Sequence, residues 1–173
     1  MEKEYCCAFT GHRPADLPAG GNLSHPEARR LLAQLGEVIM QLHGEGVRDF
    51  YCGGALGFDT WAAQVVLKLK KKDPSVRLHL VIPHWGQEAS WSEADRLEYA
   101  RILREADESH ILALNYYRGC MQARNRELVE RAGILVAYCV KSEGGSAYTV
   151  KYAQKKGRRV ILLGQEEQLG MQW

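Results

Sequence analysis

Short apolar runs alternate with amphipathic stretches along almost the whole chain. Tyr5–Thr10 is apolar and predicts a first strand. Leu31, Leu32, Leu35, Val38, Ile39 and Leu42 then recur at the i, i+3, i+4, i+7 spacing of a helix face. Ser24 is the expected N-cap of that helix, with Pro26 in its first turn and Glu27 three residues on from the cap, and Gly44 and Gly46 end it. Val47–Cys52 predicts strand two. Phe58–Lys72 predicts helix two, with Trp61, Ala62, Val65, Val66 and Leu69 facing inward and Asp73-Pro74 closing it. Farther on, Val76–Ile82, Ser109–Leu114, Gly133–Val140 and Arg159–Leu163 read as strands. Ser92–Ala106, Met121–Ala132 and the segment from Ser146 to Lys156 read as helices.

Strand followed by helix, repeated in this way, is the signature of βαβ units. The expected fold is α/β, a Rossmann-like three-layer sandwich with a mostly parallel central sheet, and residues 1–173 are expected to form one domain. Gly133–Val140 is apolar throughout, as a strand at the centre of a parallel sheet should be. The polar tail after Gly164 is expected to be loose, with Trp173 as its one group able to dock on the core.

Composition changes this picture little. The chain is 46% hydrophobic and 25% charged, with 23 Lys+Arg against 21 Asp+Glu. That balance gives no compositional argument for nucleic acid, and no apolar run approaches the roughly 18 residues of a membrane span. A cytoplasmic protein with no membrane partner is expected. The five cysteines include no Cys-x-x-Cys pair. Cys6, Cys7, Cys52 and Cys139 fall in predicted strands, as small buried hydrophobes of a reducing compartment do. The six histidines are scattered, so no metal site is expected. Basic clusters at Lys68–Lys72 and Lys155–Arg159 lie at helix C-termini, where cations complement the helix dipole.

In doubly wound sheets, ligands bind beyond the carboxyl ends of the strands. Three loops there are rich in small residues: Gly11-His12-Arg13-Pro14, Gly53-Gly54-Ala55-Leu56-Gly57-Phe58-Asp59 and Gly144-Gly145-Ser146. Glycines admit a ligand close to the backbone, and the helix N-terminus that follows offers free amides. A phosphate cradle is the expectation. Arg13 and Arg124 would fork onto phosphate, Asp59 and Asn125 would hold ribose hydroxyls, His12 would stack or hydrogen-bond, and Ser146 and Thr149 would add hydroxyl contacts. Trp85, Trp91, Tyr99 and Tyr116 are the aromatic candidates for a base sandwich. Neither Gly-x-Gly-x-x-Gly nor a Gly-Lys-Ser/Thr P-loop is present, so an ordinary dehydrogenase or P-loop NTPase is not expected.

Four motifs in order carry a family resemblance. Thr10-Gly11-His12-Arg13-Pro14, Gly53–Ala63, Arg124-Asn125-Arg126-Glu127-Leu128 and Gly145–Val150 resemble the YpsA/YoqJ-like branch of the SLOG superfamily, which also contains DprA and the LOG phosphoribohydrolases. The resemblance implies a domain that binds a nucleotide or a derivative of the ADP-ribose or NAD type, as a sensor or regulator with no required cofactor. The alternatives are a LOG-like N-glycosidic hydrolase and DprA-like binding of single-stranded DNA. Arg124 matches the LOG arginine, but Asn125 replaces the next basic residue and Tyr152 stands where the LOG glutamate would be. Glu143 is expected on the wrong side of its loop to replace that glutamate, which leaves Glu88, Glu93 or Asp59 as candidate acids. A homo-oligomer paired through helices would use Trp61 or Trp91 as surface residues.

Overall fold

The computed structural model describes residues 2–165, so the tail carrying Trp173 lies outside the described residues. The chain runs β1 (Cys6–Gly11), α1 (Pro26–Gly44), β2 (Asp49–Cys52), α2 (Phe58–Lys72), β3 (Arg77–Ile82), α3 (Glu93–Glu105), β4 (Glu108–Ile111), α4 (Cys120–Arg131), β5 (Ile134–Tyr138), α5 (Gly145–Lys155) and β6 (Arg159–Leu162). The six strands lie in the order β4-β3-β2-β1-β5-β6, and every neighbouring pair is parallel. Strand order therefore reverses between β1 and β5, which is the topological switch point of the sheet.

Period-two alternation sends side chains into two cores. Cys7 and Phe9 of β1, Phe50 of β2, Leu78 and Leu80 of β3 and Val136 of β5 point to the face covered by α1, α2 and α3. Cys6 and Ala8, Tyr51, Val81, Leu135 and Ala137 point the other way, onto α4 and α5. Phe9 and Phe50 stack with centroids 6.1 Å apart at the middle of the first core. Burial pushes the Cys7 and Cys52 thiols up, which keeps them protonated. Cys139 lies one residue past β5 and is only half-buried.

Three expectations shift. The N-cap of α1 is His25, and Ser24 turns its hydroxyl to Asn22 Oδ1 at 2.6 Å instead of capping. Strand β4 ends at Ile111 rather than Leu114, because its neighbour β3 stops at Ile82 and the next residue, Pro83, has no amide to continue the ladder. Trp61 packs inside the first core and is not a surface residue, while Trp91 leans edge-on against Tyr99. At the start of α3, Ser92 caps the helix: its Oγ accepts the Asp95 amide at 3.2 Å. Ser92→Ala is expected to lower stability by about 1 kcal/mol, read from the urea midpoint. Among the described residues, no helix is long and apolar enough to cross a membrane.

Candidate functional site

A cavity of about 300 Å³ opens at the switch point, beyond the carboxyl ends of β1 and β5. The loop after β1 contributes Gly11, His12, Arg13 and Asp16. The loop after β5 and the start of α5 contribute Lys141, Glu143, Gly144, Gly145 and Ser146. Ala55 and Asp59 enter from the α2 side, and Met121, Arg124, Asn125 and Leu128 from α4.

The loops are tied to one another by specific contacts. The amide of Val140 donates to His12 Nε2 at 3.0 Å, which joins the first loop to the third. Burial pushes the His12 imidazole down, so it is neutral at pH 7, and because Nε2 accepts, its proton sits on Nδ1. The His12 ring also stands edge-on to Tyr138, 5.4 Å between centroids. The amide of Phe58 donates to the His12 carbonyl at 3.1 Å, joining the second loop to the first. His12 is thus a brace that also lines the cavity.

Arg124 is 5% exposed and Asp59 7% exposed. The Arg124 guanidinium donates through Nη1 to the Gly53 carbonyl and through Nε to Asn125 Oδ1 at 2.8 Å. Asp59 Oδ2 accepts the Ala55 amide at 3.2 Å. Burial holds the Asp59 carboxyl above its ordinary range against the pull of the Arg124 charge. These two groups stabilise the second loop from inside, and Asn125 joins the same network through Oδ1 while also lining the cavity.

The glycines divide by what fills the space beside them. A Cβ on Gly11 would fall 2.3 Å from the Phe58 ring, one on Gly53 2.6 Å from the Arg124 guanidinium, and one on Gly54 2.7 Å from Ile82. Protein atoms, not an open site, occupy the space at these three positions. Gly53, Gly54 and Gly57 do not line the main cavity; Gly54 and Gly57 border separate, smaller recesses. Thr149 is fully buried, and its hydroxyl donates back to the Gly145 carbonyl at 2.7 Å. Gly144, by contrast, takes φ +101° with nothing within 4 Å of a built Cβ, and it opens α5.

At the rim, the exposed Arg13 guanidinium has no side-chain hydrogen bond or ion pair among the described residues. Lys141 pairs with Asp16 at 2.9 Å, and that contact holds the Asp16 carboxyl below the ordinary range. Glu143, expected on the wrong side of its loop, lines the cavity. Three basic groups (Arg13, Arg124, Lys141) therefore meet three acidic ones (Asp16, Asp59, Glu143), which is a more balanced site than the loop glycines and arginines alone suggest. Asp16, Lys141 and Glu143 carried no motif signal; only their adjacency to the glycine loops pointed to them. None of Trp85, Trp91, Tyr99 and Tyr116 lines the cavity, and Trp85 and Tyr116 are exposed. Glu88 and Glu93 are also absent from its lining, and the Tyr152 hydroxyl donates to Glu130 at 2.6 Å instead of facing it.

A profile of the YspA SLOG family matches residues 7–162. The chain belongs to this family. A UPF0398 protein of Halalkalibacterium halodurans is 38% identical over 123 residues, which covers 69% of this chain but only 65% of the relative. Among solved structures, DNA processing protein A (DprA) of Streptococcus pneumoniae superposes with a TM-score of 0.62 at 21% identity, over 92% of this chain and 50% of the pneumococcal one. The DprA of Helicobacter pylori, described for its single-stranded DNA binding mode, superposes with a TM-score of 0.63 at 18% identity, over 93% of this chain and 66% of its own. The SLOG chain thus shares the DprA fold and spans half to two thirds of the length of these proteins.

Proposed function

We propose that the switch-point cavity binds a nucleotide derivative of the ADP-ribose or NAD type, and that this SLOG protein acts as a sensor rather than an enzyme. The start of α5 carries the reading. Gly144, Gly145 and Ser146 present first-turn amides, which a helix cannot pair internally, to a cavity whose rim holds the uncommitted Arg13 guanidinium. A phosphate placed there would receive backbone amides, the Ser146 hydroxyl and a forked charge-assisted contact. Asp16 and Glu143 supply acceptors for ribose hydroxyls. A volume of about 300 Å³ is at the small end for ligand sites, so it suits a ribose-phosphate end with the rest of the ligand over the open rim.

A sensor is favoured over a hydrolase by how the candidate catalytic groups are used. Arg124 is committed to the Gly53 carbonyl and Asn125, and Tyr152 in the LOG glutamate position is committed to Glu130. Of Glu88, Glu93 and Asp59 only Asp59 lines the cavity, held by the Ala55 amide beside Arg124, while Glu143, which also lines it, stands on the exposed loop before α5. Against DNA binding, part of each basic cluster is already paired: Lys70 with Asp107, Arg159 with Glu45, and Lys156 and Arg158 with Glu130.

Calorimetric titration with ADP-ribose, NAD and AMP tests the reading. Arg13→Ala removes an exposed side chain, so the fold should be unchanged by circular dichroism while affinity falls about 10- to 100-fold, the equivalent of one lost charge-assisted bond. No heat with any nucleotide, together with salt-sensitive binding of an oligonucleotide, would replace this reading with the DNA one. Release of free base from a nucleoside monophosphate, abolished in Asp59→Asn, would replace it with hydrolysis.

A further inference from the structure

We propose that His79, Glu108 and His110 form a site for a divalent transition metal of the zinc class, on the edge pair β3–β4 and two strands away from the switch point. The parallel register places Glu108 of β4 directly beside His79 of β3, and period-two alternation puts His110 on the same face as Glu108. Glu108 Oε2 lies 3.2 Å from His79 Nδ1 and 3.1 Å from His110 Nε2, and all three donor atoms fall within 4.8 Å of one another. Ligands bonded to zinc at about 2.0–2.1 Å in a tetrahedron stand about 3.3–3.4 Å apart. Two edges of such a tetrahedron are nearly in place.

The deepest ligand is already oriented. His79 has a side-chain exposure of 2%, stacks on Tyr51 with centroids 4.4 Å apart at 12°, and sets Nε2 2.8 Å from Asp49 Oδ1. When Nε2–H donates to Asp49, Nδ1 is left as a lone pair facing the Glu108 carboxylate, two electron-pair donors with no proton between them. A metal ion satisfies both. A carboxylate behind a ligating imidazole is also the usual outer-shell partner that fixes its tautomer. The other Glu108 oxygen, Oε1, faces Arg77 Nη2 at 3.8 Å, which leaves Oε2 for the ion. Side-chain exposures of 47% for Glu108 and 31% for His110 leave the fourth position to water. Two imidazoles, one carboxylate and an open position suit zinc better than magnesium or calcium. On binding, the ion would clamp the exposed edge strand β4 to β3.

The test uses chelator-treated full-length protein titrated with Zn²⁺ by calorimetry and with Co²⁺ by visible absorption. One equivalent is expected, with the tetrahedral Co²⁺ bands bleached by Zn²⁺. His110→Ala and Glu108→Gln, both at solvent-accessible positions, should each weaken Zn²⁺ binding at least 10-fold. Asp49→Asn should weaken it about 10- to 100-fold. His25→Ala, an exposed histidine elsewhere, should bind as the parent does. Absence of binding by the parent protein would overturn the proposal and leave the cluster as a proton-sharing network. Parent-like affinity in a folded His110→Ala protein would overturn it equally.

Discussion

Replacing Arg124 with alanine is expected to remove about 3 kcal/mol or more of folding stability, the cost of leaving two buried acceptors unpaired and the Asp59 carboxyl without its main opposing charge. The guanidinium satisfies the Gly53 carbonyl and Asn125 Oδ1, and it is the main positive charge acting on the buried Asp59 carboxyl. Without it, the Asp59 carboxyl rises further above its ordinary value. A carboxyl whose folded value is raised contributes stability that is fully present below its unfolded value, near 4, and is lost as pH rises through the folded value. The deficit of Arg124→Ala should therefore be smallest near pH 4, where only the lost Gly53 and Asn125 contacts count, and should widen toward neutrality. Denaturant unfolding at a series of pH values reads this directly. Combining Arg124→Met with Asp59→Asn should recover much of the loss, because a neutral pair leaves no uncompensated charge. A double variant no better than the single one would mean that the backbone contact to Gly53, not the charge pair, holds the second loop.

Order, topology class and the ligand-bearing edge of this fold could be read from the sequence because β5 is apolar over its whole length, β1 and β3 are mostly so, and the helices keep a clear 3.6 period. Strand β4 could not. Glu108, Ser109 and His110 are polar because no described helix covers that edge, while the apolar Leu112 and Leu114 that suggested a longer strand lie past the end of β3. The glycine loops were found by composition, but their roles were not separable there. Whether a glycine admits a ligand or a neighbouring side chain depends on what fills its Cβ position, and at Gly11, Gly53 and Gly54 that is Phe58, Arg124 and Ile82. Arg124 looked like a phosphate ligand for the same reason: an arginine beside glycines reads alike whether it faces a cavity or a carbonyl. His79, Glu108 and His110 were invisible as a group because only the β3–β4 register brings them together, across about thirty residues of chain.

Gly57→Ala is expected to be the most damaging change among the loop glycines, at about 3 kcal/mol or more. Gly57 takes φ +91° and ψ −123°, a region open in practice to glycine alone, which costs another residue about 1–3 kcal/mol. A Cβ there would also fall 2.6 Å from the His12 carbonyl oxygen and 3.0 Å from Arg13 Cα. Those atoms are backbone, so no side-chain rotation relieves the contact, and overpacking of this kind adds about 1–3 kcal/mol. The strain and the clash act on one joint, since the next residue, Phe58, donates its amide to the same His12 carbonyl. Gly144→Ala separates the two effects. Its φ of +101° carries similar strain, but its Cβ would meet nothing within 4 Å, so about 1–3 kcal/mol is expected, without the clash. Urea midpoints for the two variants, compared at equal slope, give the difference due to the clash. Because moving the His12–Arg13 backbone also moves the rim arginine, Gly57→Ala protein that still folds should bind ADP-ribose less tightly than its stability alone requires. Equal midpoints with unchanged ADP-ribose affinity would show that the first loop yields freely and is not held by the second.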